Sequence, residues 1–140
     1  MTQMCLTRRK LVVAAVGCLL LPMSAHAALI VEPAPVTLPQ DISPERVRSA
    51  IRQAAQARHW GVLRDEPGRI DLAYPTGARA SKHQLQVSVN YDARTCSVRY
   101  LDSYGLDAHM YQDEFRGHRK ITKWMRNLRY DIERFVRFSH

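Results

Sequence analysis

Four residues of this chain could form a reactive or ligand-binding site: an acid, a hydroxyl and two histidines. They lie near the ends of segments that are consecutive in the sequence. His83 precedes a segment of alternating apolar and polar residues, Asp102 and Ser103 follow the next such segment, and His118 precedes the last helical segment. An acid, a histidine and a hydroxyl can form a hydrolase triad if the hydroxyl lies within hydrogen-bond reach of the histidine. We therefore treat these four residues as a candidate polar site.

The neighbours of Ser103 favour a binding or structural role over catalysis. No Gly-x-Ser-x-Gly elbow, which exposes the nucleophile of many hydrolases, surrounds this serine. An Asp-Ser pair at the end of a strand also commonly turns the chain by hydrogen bonding to nearby backbone. A small enzyme or ligand-binding domain is therefore the alternative function, and no catalytic residue is assigned.

Metal and cofactor motifs are missing from the sequence. Neither a phosphate loop nor a dinucleotide fingerprint is present. Four of the histidines are spread along the chain without a ligand pair on one helix: His59, His83, His109 and His118. The sequence therefore predicts no cofactor and no metal.

Residues 118–140 contain the longest helical period of the chain. At 100° per residue, one side of the helix is apolar and lies within roughly 60° of Ile121. This inward side holds Ile121, Trp124, Met125, Leu128, Ile132 and Phe135, and the opposite side holds Arg119, Lys123, Arg126, Tyr130, Arg134 and Arg137. The pattern predicts an amphipathic helix with a basic outer face.

The first 27 residues have the three parts of a secretory signal peptide. Arg8, Arg9 and Lys10 precede an apolar run over 11–21, and Ala25-His26-Ala27 forms a small-residue cleavage site. The run is shorter than the about twenty residues that span a bilayer. We expect cleavage after Ala27, a periplasmic or secreted product and no transmembrane segment after processing. The alternative is a lipoprotein signal, with lipidation at Cys18.

Removing this leader would change the net charge from +8 to about +5, nearly all of it on residues 118–140. A solvated surface is the common meaning of such a basic face. The functional alternative is attraction to an anionic envelope surface, where each cation contributes on the order of 1 kcal/mol. The candidate contacts are Arg119, Lys123, Arg126, Arg134 and Arg137. Nucleic acid would fit the charge but not the compartment.

The remainder predicts one domain over 42–140, preceded by a Pro-rich extended tether over 28–41. A helix over 44–58 begins after Ser43, a good N-cap followed by Pro44. Two hairpins follow, over 60–74 and 84–101, and residues 102–115 are expected to form an irregular loop. The expected fold is an α+β two-layer sandwich, in which a four-stranded antiparallel sheet carries the N-terminal and C-terminal helices on one face.

The second hairpin has a register that places apolar residues opposite one another. A two-residue turn at Ala93-Arg94 pairs Tyr91 with Cys96, Val89 with Val98 and Val87 with Tyr100, and continues to Leu85 with Asp102 and His83 with Tyr104. In the first hairpin, a three-residue loop would pair Trp60 with Tyr74 and Val62 with Leu72. Cys96 is expected to be a small buried hydrophobic residue.

Several short motifs resemble a family of small bacterial exported proteins of uncharacterised function, often lipoproteins. They are Ile51 followed by Trp60-Gly61, His83 before the alternating strand that ends at Tyr91-Asp92, Tyr100-Leu101-Asp102-Ser103, His118-Arg119-Lys120-Ile121-Thr122-Lys123-Trp124 and Asn127-Leu128. The last helix of that family typically reads Ile-His-x-x-Tyr-Asn-x-Trp, whereas this chain has Gly117 before the histidine and Ile121-Thr122 after it. The resemblance spans roughly 51–132 and implies an exported α+β domain, without implying an activity.

The sequence as a whole favours a non-enzymatic binding or accessory domain of the cell envelope. Its partner would be an anionic envelope surface or an envelope protein. Phospholipid head groups, lipopolysaccharide and cell-wall polymers are the candidate surfaces.

Overall fold

Two antiparallel sheets and two helices form the part of the chain that the computed structural model describes, residues 27–138. The strands are β1 (Ala27–Leu29), β2 (Val36–Thr37), β3 (Gly61–Glu66), β4 (Arg69–Tyr74), β5 (Gln84–Tyr91), β6 (Thr95–Tyr104), β7 (His109–Tyr111) and β8 (Glu114–His118). The helices are α1 (Pro44–Ala57) and α2 (Lys120–Phe138), and a short 3-10 helix, Gly77–Ser81, precedes β5.

The α+β class is confirmed, but the prediction of one four-stranded sheet is wrong. A five-stranded sheet has the order β2-β6-β5-β4-β3, and a separate three-stranded sheet has the order β1-β8-β7. The Pro-rich segment supplies a strand to each sheet, and its Val36 pairs with Cys96. Cys18 and the predicted leader, apart from Ala27, lie outside the described residues.

Helix α1 begins and ends with local hydrogen bonds that its sequence encodes. The Ser43 hydroxyl accepts from the backbone N–H of Arg46 at 3.3 Å, as expected of an N-cap. At the other end, His59 N–H donates to Gln56 O and Trp60 N–H donates to Ala55 O, which is the Schellman arrangement. His59 therefore has a φ of 63° at a position where glycine is usual.

The second hairpin follows the predicted register only from its turn to Val87. Tyr91, Val89 and Val87 pair with Cys96, Val98 and Tyr100 as predicted. A bulge between Gln86 and Val87 then shifts the ladder, so Asp102 lies opposite Gln86, Ser103 opposite Leu85 and Tyr104 opposite Gln84. The predicted pairings of Leu85 with Asp102 and His83 with Tyr104 are therefore wrong, because a bulge adds one residue to one strand.

The first hairpin is also irregular. Val62 pairs with Leu72 as predicted, but the register shifts between Val62 and Arg64, and Glu66 pairs with Arg69 across a two-residue turn. The edge strand β3 leaves Val62 43% and Leu63 53% exposed. The shift allows the turn to be one residue shorter than predicted.

The expectation of an irregular loop over 102–115 is wrong as well. β6 continues to Tyr104, and β7 and β8 form a third hairpin around Gln112 and Asp113. Both turn residues have positive φ, 47° and 64°, as a two-residue turn of this kind requires. β8 then pairs with β1 and leads into α2.

The apolar side chains of both helices and of the five-stranded sheet share one core. Helix α1 contributes five buried residues: Val47, Ala50, Ile51, Ala54 and Ala55. Val36 and Leu38 of the Pro-rich segment also belong to this core. Cys96 is 1% exposed, which confirms its prediction as a buried residue, and burial raises the pKa of its thiol to about 12.

We expect the Cys96 thiol of the folded protein to be unreactive at pH 8, because it is buried and its raised pKa of about 12 leaves almost no thiolate. Iodoacetamide labelling followed by peptide mass spectrometry should find Cys96 unmodified in native protein and modified in concentrated guanidinium chloride. Equal labelling rates in the two conditions would contradict the buried position.

Gly105 should tolerate alanine much less well than Gly77, although both have a φ of 68°. A Cβ at Gly105 would lie 2.1 Å from Lys82 O, whereas none of the described atoms lies within 4 Å of a Cβ at Gly77. We expect Gly105→Ala to lower the free energy of unfolding by about 1–3 kcal/mol more than Gly77→Ala, measured by urea denaturation. Equal effects would show that the chain does not pass this closely between Lys82 and Gly105.

Candidate functional site

The outer face of α2 has the orientation that the helical period predicts. Ile121, Met125, Leu128 and Ile132 are fully buried, and Trp124 and Phe135 pack against the core. The predicted contact residues are all exposed: Arg119, Lys123, Arg126, Arg134 and Arg137. The helix begins where His118 Nδ1 accepts a hydrogen bond of 3.1 Å from the backbone N–H of Lys120. Burial of the apolar side thus holds the cations in water.

The first half of this face borders a groove of about 700 Å³ between α2 and β1, which we call the basic groove. Its cations are Arg119, Lys120, Lys123 and Arg126, and its other residues are Ala28, Leu29, Thr122 and Asn127. Within residues 27–138, no carboxylate forms an ion pair with any of these four cations. Lys120 Nζ lies 5.9 Å from the centre of the Trp124 ring. The groove therefore carries uncompensated positive charge.

Hydrogen bonds to α2 fix the opposite wall of the groove. The Thr122 hydroxyl accepts from Val31 N–H at 3.0 Å and donates to Leu29 O at 3.4 Å. One helical turn further on from the groove, Arg129 Nε donates to Ala34 O at 2.7 Å. Residues 28–41, predicted to be a tether, are therefore held along the helix over much of their length.

The second half of the outer face of α2 has less uncompensated positive charge, because an acidic side chain pairs with two of its arginines. Glu133 accepts from both Arg129 and Arg137, each at 2.7 Å. The guanidinium carbon of Arg134 lies 5.2 Å from the centre of the Phe135 ring. Two exposed aromatic side chains flank these arginines, Tyr130 at 60% and Phe138 at 74%. This end therefore combines cations with exposed apolar surface.

A second cavity, which we call the aromatic cleft, lies between the end of α1, the start of the first hairpin and α2. Its volume is about 420 Å³, and its lining consists of Arg58, His59, Trp60, Tyr74, Lys123, Trp124 and Asn127. The ring centres of Trp60 and Tyr74 are 5.3 Å apart, and those of Tyr74 and Trp124 are 5.0 Å apart. Three aromatic rings in contact therefore form one wall, an arrangement that sequence reasoning missed.

The two helices are joined beside this cleft by an ion pair that was also missed. Arg58 Nε donates to Asp131 Oδ2, and the Asp131 side chain is only 4% exposed. The hydrogen bond to Asp131 raises the pKa of the Arg58 guanidinium. An acid on the inward side of an otherwise apolar helix was the available signal, since a buried carboxylate needs a partner.

The four residues of the candidate polar site mainly contact their own neighbours. Ser103 shares a hydrogen bond of 2.6 Å with the Tyr100 hydroxyl, and Asp102 Oδ1 accepts from Ser103 N–H at 2.8 Å. Asp102 and Ser103 are consecutive residues of β6, and both pair with β5. Their side chains therefore point to opposite faces of the sheet.

The histidines of that site lie at other places. The His83 ring stacks on Trp124 with 6.0 Å between ring centres, and His118 caps α2. The hydroxyl of Ser103 is thus bonded to a tyrosine, which gives the triad interpretation no support.

Neither a metal site nor a membrane span is found in the part of the chain that the structure describes. Across residues 27–138, no three His, Cys, Asp or Glu side chains are arranged to hold a metal ion. No helix of this stretch is long and apolar enough to cross a membrane.

Comparisons of the chain with protein-family models, with curated proteins and with solved structures found no match. The family resemblance therefore stays a prediction, and the functional proposals below depend on the geometry of the basic groove and the aromatic cleft.

We expect Thr122→Val to loosen the wall of the basic groove, because valine keeps the shape of threonine but loses both hydrogen bonds to residues 29–31. The free energy of unfolding should fall by about 1–2 kcal/mol, and amide exchange at Val31 should accelerate in hydrogen-exchange mass spectrometry. The matched control is Thr76→Val at an exposed threonine. An unchanged exchange rate at Val31 in the Thr122 variant would contradict this attachment.

Proposed function

We propose that this protein is an exported cell-envelope domain that binds an anionic lipid surface through the outer face of α2 and performs no catalysis itself. The observation that carries the proposal is the row of exposed cations in the basic groove. Arg119 lies directly before α2, and Lys123 and Arg126 lie on its first two turns; none of the three forms an ion pair within residues 27–138. A cation that forms no ion pair within the protein can bind an external anion without first breaking an existing ion pair.

The free energy available from such a contact is sufficient for reversible binding. Each basic residue close to an anionic lipid surface contributes on the order of 1 kcal/mol. Arg137 contributes less by this reasoning, because it already pairs with Glu133 at 2.7 Å. The basic groove should therefore dominate the attraction, with the far end of the helix as a weaker second contact.

The apolar side chains around these cations favour a lipid surface over a soluble polyanion. Tyr130 and Phe138 are exposed at one end of α2, and Leu29 and Val31 are 48% and 50% exposed near the other. Aromatic and aliphatic side chains beside cations suit the boundary between head groups and acyl chains. Because the inward face of α2 is committed to the core, the domain would bind as a folded body.

The predicted signal peptide supports the choice of an envelope lipid. An exported chain meets phospholipid head groups, lipopolysaccharide and cell-wall polymers, whereas nucleic acid belongs to another compartment. Of these anions, lipids alone combine negative charge with an apolar layer that could receive the exposed side chains.

The test is co-sedimentation of residues 28–140 with phosphatidylglycerol vesicles at low and high salt. We expect binding that salt weakens and that phosphatidylcholine vesicles do not support. Charge reversal at Arg119, Lys123 and Arg126 should weaken binding by about a hundredfold or more, since it removes roughly 3 kcal/mol of attraction.

The matched control reverses three exposed arginines elsewhere, Arg46, Arg79 and Arg94, and so has the same net charge. It should retain most of the binding. Equal losses in the two variants would mean that only overall charge matters, and salt-independent pelleting of both would rule out the basic groove as the contact. Binding to cell-wall sacculi without binding to vesicles would assign the surface to a polymer instead of a lipid.

A further inference from the structure

We propose that the aromatic cleft binds an anionic monosaccharide unit, meaning a sugar ring that carries a carboxylate or a phosphate. This site differs from the lipid-binding face in position and in ligand, although the two share Lys123 and Asn127 on α2. The inference therefore goes beyond surface binding and does not require it.

The size and wall of the cleft suit one ring. Its volume of about 420 Å³ lies within the range of small-ligand sites. Trp60, Tyr74 and Trp124 form its apolar wall, with ring centres 5.0–5.3 Å apart along the series. The C–H groups of a sugar ring can pack on such a wall because aromatic faces carry partial negative charge.

The polar side chains of the cleft favour an anion that has several oxygen atoms. Lys123 supplies a cationic donor, while Arg58 is already paired with Asp131 beside the cleft. His59 and Asn127 supply further hydrogen-bonding groups, and no carboxylate belongs to the lining among the described residues. A neutral sugar would leave the charge of Lys123 without a partner. An aromatic carboxylate offers one polar group, whereas a sugar acid or sugar phosphate also has hydroxyl oxygen atoms around its ring that can bond several donors.

His59 adds an independent observation. It has a φ of 63° at the position after the α1 cap, where glycine would avoid the steric cost of a Cβ. His59 lines the aromatic cleft and also a neighbouring pocket that Trp60 lines as well. The Schellman cap of α1 accounts for this φ, and it holds the imidazole at the cleft, where it can contact a bound ligand.

The chain reports on this site directly, because both of its tryptophans, Trp60 and Trp124, line the cleft. Intrinsic fluorescence of the full chain should be titrated with glucuronate, glucose 6-phosphate, glucose, inorganic phosphate and benzoate. We expect a saturable change with glucuronate or glucose 6-phosphate, and binding about tenfold weaker or less with the other three. Equally tight binding of phosphate, benzoate or glucose would overturn the assignment, as would the absence of any saturable change.

Two variants locate the binding. His59→Gly should keep or raise the melting temperature, because glycine suits the positive φ, and it should weaken binding of the sugar anion about tenfold. Asn127→Leu should weaken binding similarly. Arg126→Gln is the matched control, since Arg126 borders the basic groove but not the cleft, and it should leave the fluorescence titration unchanged.

An unaltered affinity in a folded His59→Gly protein would overturn the role of the cleft. The same titration distinguishes this proposal from lipid binding. Charge reversal at Arg119 and Arg126 should weaken vesicle binding by about tenfold or more and leave the response to the sugar anion in place.

Discussion

Burial of the inward face of α2 is the interaction on which the rest of the structure depends. Ile121, Met125, Leu128 and Ile132 have no exposed surface, and full burial of each such side chain contributes on the order of 1.5–3 kcal/mol. This contribution fixes the rotation of the helix about its axis. Once the rotation is fixed, the cations on the opposite side of α2 must face the solvent. The same rotation fixes the positions of the α2 side chains that line the basic groove and the aromatic cleft.

Other interactions adjust what this packing establishes. Asp131 interrupts the inward face of α2, and its burial is possible because Arg58 at the end of α1 reaches it. Gly117 lets β8 approach α2, since a Cβ there would lie 2.9 Å from both Ile121 Cδ1 and Ile30 Cδ1. Ile30 and Ile121 fill the space that a side chain at this position would need.

The sequence could predict those features that local chemistry determines. Ser43 and Pro44 mark the start of α1, and the short turn at Ala93-Arg94 determines the register as far as Val87. Beyond Val87 the prediction is wrong, because the residues after the bulge, Asp102 and Ser103, are both polar and so show no alternation that could reveal it. The β7–β8 hairpin was missed for a related reason, since its turn uses Gln112 and Asp113 at positive φ instead of glycine.

The aromatic cleft lay further beyond prediction because its wall comes from three separate segments. Pairing of Trp60 with Tyr74 was anticipated from the hairpin, and Trp124 was placed on the inward face of α2. No local sequence pattern predicts that the N-terminal end of α2 lies over the open end of that hairpin. The packing of α2 on α1 and on the sheet brings the three rings together.

Lys123 connects the two proposed sites and implies that they are coupled. Its side chain borders both the basic groove and the aromatic cleft. One ammonium group cannot give its full attraction to two anions, so a lipid phosphate held in the groove would lower the affinity of the cleft for its sugar anion. By thermodynamic linkage the sugar anion would weaken lipid binding by the same factor. A single molecule that presents phosphate and sugar together would avoid this competition, because one anionic group could then lie beside Lys123 while the attached ring occupied the aromatic wall.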